Sequence, residues 1–467
     1  MRRRRRLASL WLGLCAGILL CGGPPPAVSQ AAGPLRTGLS DGLFTGSESG
    51  VWLNRAKGAD AELIRVFVRW RDVVGARKPA SPRDPADPAY DFSGLDTAVS
   101  GAAARGMEPL LTLYEAPNWA EGGHRPKSAP AGSWKPSVAA YADFTRAVSA
   151  RYSGSFAGLP RVRYFQAWNE PNIDTYLAPQ WHAGDPVAVE RYLKLMNAAS
   201  DVVHKVNATN QLVTAGLAPY GEPPGGHRTR PLTFWRDAFC LKGRSKLRRT
   251  KKCGTTPHFD ILAAHAINTS GPPRQSALNP DDASSGDLEE IERVLGRAEA
   301  LGTIPGGRHP SWVTEFWWES DPPDRKQGYP PPKQAAFVEE TMYLAWKAGF
   351  SAAINLQLRD SDVDKSNLLD HNATGLYFFS GKEKPSLRAF RFPFVADRKS
   401  KKKVELWGKA PKSGKVVVEQ KKGKGWKKVE STKAGSNRIF DTKTKLGGRA
   451  KLRAKAGGET SLVWKLK

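Results

Sequence analysis

Residues 162–172 read VRYFQAWNEPN. The alternation up to Ala167 predicts a strand, and the chain then delivers Trp168, Asn169, Glu170 and Pro171 in succession. A carboxylate set directly behind a buried strand is costly unless it has partners or chemistry to perform. The rest of the chain supplies both.

Strand-like segments recur at 38–45, 63–70, 108–114, 162–168, 211–218, 259–266, 311–316 and 351–358. Amphipathic helical stretches lie between them at 95–105, 138–152, 187–206, 286–301 and 333–348. Eight strands alternating with helices predict an α/β fold, a (β/α)8 TIM barrel spanning residues 34–394. An open doubly wound sheet is the competing topology, but no Gly-rich phosphate loop follows the first strand. From 396 to 467 the pattern changes to short alternating runs broken by Gly, Ser and Lys. This predicts a small all-β, sandwich-like module.

The 467 residues carry a formal charge of +27. It is uneven: residues 397–467 hold 23 Lys and Arg against 6 Asp and Glu. A basic β module suits an anionic surface or an acidic polysaccharide by long-range attraction. Nucleic acid is not expected, because no groove-reading or base-stacking motif is present. Residues 1–31 have a basic start, an apolar run over 7–21 and small residues near 27–31, the pattern of a secretory signal peptide. That run falls short of the roughly twenty residues a spanning helix needs, so a secreted protein without a transmembrane anchor is expected. Outside the leader stand Cys240 and Cys253, which in an oxidising compartment predict a disulfide. It would close a basic loop and contribute on the order of 3 kcal/mol.

Catalytic groups of a barrel sit where strands end at the carboxyl face. Residues 311–320, SWVTEFWWES, give a second such carboxylate, Glu315, on the seventh strand. The fourth and seventh strands face each other, so Glu170 and Glu315 should approach to the roughly 5–5.5 Å of a pair in which one carboxyl protonates a leaving oxygen and the other attacks. Two carboxylates that close resist ionising together, so the less stabilised one, Glu170, would keep its proton near neutral pH.

AWNEPN and WVTEFWW together resemble the acid/base and nucleophile motifs of the retaining glycoside hydrolases of clan A, the cellulase-like superfamily, in its family 5 and family 39 types. IRVFVRW (64–70), YDFSGLDTAV (90–99), LLTLYEAPNWA (110–120) and GLYFFSGKEKPSLRAF (375–390) extend the resemblance over residues 37–394. It implies a glycosidase with Glu170 as acid/base and Glu315 as nucleophile, acting on carbohydrate without cofactor or metal. It further implies that Asn169 contacts the sugar 2-hydroxyl, that Arg69 holds Glu315 ionised, and that His265 lines the pocket. Trp119 and Trp317 would be sugar platforms. Two departures stand out: Ile267 where many clan members have Tyr, and Gln357 where many have Trp. The alternatives are a non-catalytic carbohydrate-binding barrel whose departures have abolished turnover, or a polyanion-binding surface protein.

Overall fold

A computed structural model describes residues 33–251, 253–269, 271–362 and 373–467. The expected leader, residues 1–31, lies outside the described residues. Strands form where β-branched, aromatic and aliphatic residues run unbroken, as both faces of a barrel wall are buried. They are β1 (Arg36–Ser40), β2 (Leu63–Arg69), β3 (Glu108–Tyr114), β4 (Tyr164–Ala167), β5 (Gln211–Val213), β6 (Leu262–His265), β7 (Ser311–Phe316) and β8 (Ala352–Leu356). All pair in parallel in the order β6-β7-β8-β1-β2-β3-β4-β5. The ring is nearly closed: β5 and β6 meet through the single parallel bridge Val213–Ile261, with Thr214 N–H donating to the Ile261 carbonyl at 2.9 Å.

Helices cover the outside: α1 (Ser49–Gly58), α2 (Trp70–Val74), α3 (Ser93–Ala103), α4 (Val138–Arg151), α5 (Val187–Val206), α6 (Pro231–Ala238), α7 (Leu288–Ala300), α8 (Pro331–Ala348) and α9 (Pro385–Arg391). α5 shows why they dock. Its buried residues Val189, Tyr192, Leu193, Met196, Ala199 and Val203 fall at spacings of three and four, a single apolar stripe. α4 starts where Ser137 accepts a hydrogen bond from Ala140 N–H, and α8 starts on prolines and stops at Gly349 in the left-handed region. α1, α2, α6 and α9 were not expected; in α6 the buried Pro231, Phe234, Trp235 and Ala238 nevertheless fall at spacings of three and four. Among the described residues no helix is long and apolar enough to cross a membrane.

Inside the barrel, Leu63, Leu110, Tyr164, Val213, Ala263, Trp312 and Ile354 form an apolar floor. The next layer toward the carboxyl face is polar: Arg65, Thr112, Gln166, Thr214 and Thr314, all fully buried. A polar layer is stable only when hydrogen-bonded throughout, and this one sits directly beneath the candidate site.

The carboxyl-terminal module is two antiparallel sheets around one core. β9 (Phe394–Arg398), β10 (Lys403–Lys409) and β13 (Ile439–Lys445) make the first. β11 (Gly414–Lys422), β12 (Gly425–Ala434), β14 (Ala450–Ala456), β15 (Glu459–Thr460) and β16 (Trp464–Leu466) make the second. Val404, Leu406 and Phe440 from one sheet pack on Val416, Val418, Leu452 and Ala454 from the other. The three-stranded sheet is also joined to the barrel. Trp407 is buried against Tyr343 and Trp346 of α8, ring centroids 5.5 and 5.6 Å away. The Lys409 ammonium reaches Thr37 Oγ1 at 2.9 Å and Glu62 Oε1 at 2.5 Å, and Arg438 pairs with Asp60 and Glu62. These residues lie at the amino ends of β1 and β2, so the module closes the end of the barrel opposite the candidate site.

Trp407 makes no indole hydrogen bond, so Trp407→Ala removes packing alone and is expected to cost about 3–5 kcal/mol in urea denaturation of the whole chain. A loss below about 1 kcal/mol would show that the module does not support the barrel.

Candidate active site

The segment after β4 leaves the ladder abruptly. Trp168 has φ 70° and Glu170 φ 38°, left-handed values that cost a non-glycine residue roughly 1–3 kcal/mol each. The surroundings enforce them. Trp168 N–H donates to the Leu113 carbonyl at 2.9 Å and Glu170 N–H to the Gly216 carbonyl at 3.1 Å, so the kinked segment stays hooked to chain on either side. Trp168, wholly buried, donates its indole N–H to the Tyr176 carbonyl at 2.8 Å. Asn172 donates to the Ala218 and Thr229 carbonyls and accepts from Ala218 N–H. Gln180 donates to the Pro171 carbonyl at 2.8 Å. The residues of WNEPN are thus a clamp that aims one carboxylate inward.

Glu170 Oε1 lies 2.8 Å from His265 Nδ1, and His265 Nε2 lies 4.0 Å from Glu315 Oε2. One oxygen of each glutamate and a ring nitrogen of His265 all fall within 4.8 Å of one another. Both carboxyl side chains keep a little exposure, 13% for Glu170 and 11% for Glu315. The imidazole is buried, and burial, with the Arg65 charge acting in the same sense, pushes it down to about 4 against the pull of Glu315. His265 is therefore neutral at neutral pH. Its place is cut to size by Gly216, where an added Cβ would stand 2.0 Å from His265 Cδ2.

The cation of the site is Arg65, and this corrects the expectation for Arg69. Arg65 donates to Glu315 Oε2 at 2.9 Å, Asn169 Oδ1 at 2.8 Å, Gln166 Oε1 at 2.9 Å and Thr112 Oγ1 at 3.0 Å. Arg69 lies two inward-facing positions further along β2, at the rim. Its side chain is 44% exposed and pairs with Glu115 at 3.0 Å and Asp72 at 3.1 Å. The sequence signal for Arg65 was its position, a cation in the middle of the apolar run LIRVFVR, where an unpartnered charge is untenable.

Other expected residues divide. Asn169 is buried at the site through its bond to Arg65. Trp317 is buried directly after β7. Trp119 packs edge-on against Trp70 at 5.5 Å and lines a recess of about 450 Å³ with Arg71, Asp72 and Pro117; neither glutamate lines it. Ile267 is buried, and both ends of the Gln357 amide are taken, by Ser361 Oγ at 2.7 Å and Thr374 Oγ1 at 3.0 Å. Cys240 and Cys253 form a disulfide, Cα atoms 5.3 Å apart. Tyr176 was not expected. Burial, then the charges of Glu170 and Glu315, raise its hydroxyl pKa.

Among the described residues Glu170, His265 and Glu315 are also the group with the spacing of metal ligands. The guanidinium on Glu315 already supplies that carboxylate with a fixed cation, which a metal ion at the same place would have to approach against repulsion.

No family model and no curated protein matches the chain. Solved structures share its fold. A family 39 glycoside hydrolase from the gut symbiont Bacteroides cellulosilyticus WH2 superposes with TM-score 0.55 at 16% identity, over 88% of this chain and 81% of that one. A GH5_18 protein from Streptomyces cattleya, solved with GlcNAc, gives TM-score 0.50 at 14% identity, over 77% of this chain and 80% of that one. At these identities the likeness is one of architecture.

Arg65→Met leaves the buried Glu315 without its cation and is expected to cost about 3–5 kcal/mol in urea denaturation, whereas Arg69→Ala, at the solvated rim, should cost about 1 kcal/mol or less. Equal losses would contradict the assignment. His265 gives a pH signature. Its folded pKa of about 4 lies below the ordinary 6.5, so as pH falls the unfolded chain takes up a proton first. That contribution to stability is intact above pH 6.5 and is lost between 6.5 and about 4. The stability of wild type relative to His265→Gln should therefore fall by about 3 kcal/mol across that window; a flat difference would refute it.

Proposed function

We propose that the chain is a secreted retaining O-glycoside hydrolase that cleaves β-glycosidic bonds in a poly- or oligosaccharide by double displacement. The observation that carries the proposal is the approach of Glu170 and Glu315, oxygens within 4.8 Å at the carboxyl mouth of the barrel. Retaining pairs stand roughly 5–5.5 Å apart, whereas inverting pairs leave about 6.5–9.5 Å for a water.

In the first step Glu170 protonates the glycosidic oxygen while Glu315 attacks the anomeric carbon, giving a glycosyl ester and releasing the leaving alcohol. In the second, Glu170 takes a proton from water as the water attacks the same carbon and frees Glu315. His265 is suited to both steps because it is neutral. In the tautomer with its proton on Nε2, Nδ1 accepts from the protonated carboxyl of Glu170; in the tautomer with its proton on Nδ1, it donates to the carboxylate. Arg65 fixes the Glu315 oxygen at 2.9 Å, which leaves the carboxylate little freedom away from the line of attack. With its Oδ1 committed to Arg65, Asn169 presents its amide N–H groups to the sugar 2-hydroxyl, an interaction that strengthens in the transition state. Secretion rests on the leader pattern of residues 1–31.

The decisive measurement is the anomer first released from an activated aryl glycoside, followed by NMR, together with trapping by fluorosugars of several configurations. Retention of configuration and a label on Glu315 are expected, and Glu170→Gln should slow turnover by about 10²–10⁴-fold. Inversion, or sugar binding without turnover on any glycoside, would sink the proposal.

A further inference from the structure

The module's five-stranded sheet turns one face to its partner sheet and the other to solvent. Val416, Val418, Leu452, Ala454, Ala456 and Leu466 point inward and are buried. The alternate residues point outward. On β11 these include Lys415 and Lys421; on β12, in register with them, Lys433 and Trp426. On β14 they are Lys451, Arg453 and Lys455, and on β16 Lys465, opposite Lys451. Lys428 of β12 stands opposite Glu419 of β11, the carboxylate this face carries among the described residues.

That arrangement is unfavourable for folding. Lys415 lies directly across from Lys433 and Lys451 from Lys465, like charges in adjacent cross-strand positions, which destabilise a sheet. Glu419 is already engaged by the Arg453 guanidinium at 2.7 and 2.8 Å. Trp426 does not offer an open ring either: Arg453 lies over it at 4.1 Å and Lys421 at 5.4 Å from the centroid. The indole therefore positions cations rather than a stacked ligand. What remains is a set of cations in rows across this face, with Val417 and Ser431 between them and neighbours in a row spaced roughly 4.8 Å across strands.

We propose that this outer face docks an extended acidic polysaccharide, a glycan bearing carboxylates or sulfates, whose repeating anions neutralise the opposed lysines. Charge complementarity selects a polyanion. The covered indole disfavours single-stranded nucleic acid, which is held by stacking bases on open aromatic rings. The choice of a glycan among polyanions rests on the glycosidase reading of the attached barrel. The face belongs to the sheet that points away from Trp407 and Lys409, so docking there leaves the barrel mouth open.

The test measures retention of the full chain on immobilised polygalacturonate and dextran sulfate over a salt gradient. Neutral dextran, duplex DNA and vesicles of equimolar phosphatidylcholine and phosphatidylglycerol are parallel arms. Wild type should bind the acidic glycans, weaken steeply with salt and ignore neutral dextran. Substituting Lys415, Lys433, Lys451 and Lys465 together by Gln should weaken binding roughly tenfold. Substituting Lys57, Lys127, Lys205 and Lys347 of the barrel by Gln removes the same charge and should change it little. Relief of the two opposed pairs should leave the first variant unfolding at or above the wild-type temperature, which separates lost docking from lost folding. Equal loss in both variants, no binding by wild type, or DNA or vesicles bound as tightly as the glycans would overturn the proposal. Retention needs no turnover, so a chain that docks but hydrolyses nothing would refute the enzyme and not this surface.

Discussion

A single guanidinium organises the mouth of this barrel. Arg65 rises from the middle of β2 and its donors are taken by β3, β4, β7 and the turn after β4, through Thr112, Gln166, Glu315 and Asn169. A wholly buried cation costs several kcal/mol unless its pairing is complete, so the strands that supply its acceptors are held in one relative register. Gln166 extends the constraint to the other wall by donating to the Thr214 carbonyl at 2.9 Å. The barrel interior therefore sets the place of Glu315, and the turn after β4, held by Tyr176, Thr229 and Gln180, completes the separation of the two glutamates.

The clamp after β4 uses that rigidity. Two left-handed residues in three are tolerable only on a support that does not give, and the Leu113 and Gly216 carbonyls that receive their N–H groups belong to chain on either side of β4. His265 and Gly216 complete the fit, a ring pressed against a backbone with no side chain. A neutral imidazole between two carboxylates gives the site a donor and an acceptor in one group without adding charge.

Much of this was legible in the sequence. Eight strand-like runs between amphipathic helices predict the barrel, and β3 and β7 begin and end where the alternation does. Both glutamates stand at strand ends because apolar runs stop there. A strand end marks where a pocket begins and so points to Arg69, whereas the long side chain of Arg65, two inward-facing positions deeper, reaches the same place. β5 is shorter than its apolar pattern because extended backbone is not the same as paired backbone: beyond Val213 the Ala215 and Ala218 N–H groups go to the Tyr192 hydroxyl and the Asn172 side chain. The burial of Trp407 and Lys409 left no trace in a segment whose lysines otherwise alternate outward, since which lysine turns inward depends on Thr37 and Glu62, more than three hundred residues away.

Lys409 has one more implication. Its ammonium seals the closed end of the barrel, and Trp407 fills the groove beside it, so cutting the chain near residue 394 would not release two independent bodies. It would strip Asp60 and Glu62 of the module's cations and leave an aromatic patch without its cover. The two parts should then share one unfolding transition, and any ligand of the module would act as a stabiliser of the remote mouth by mass action. At a hundred times its dissociation constant, such a ligand adds about 2.7 kcal/mol to the whole. Attachment would thereby lengthen the working life of a site that it never touches.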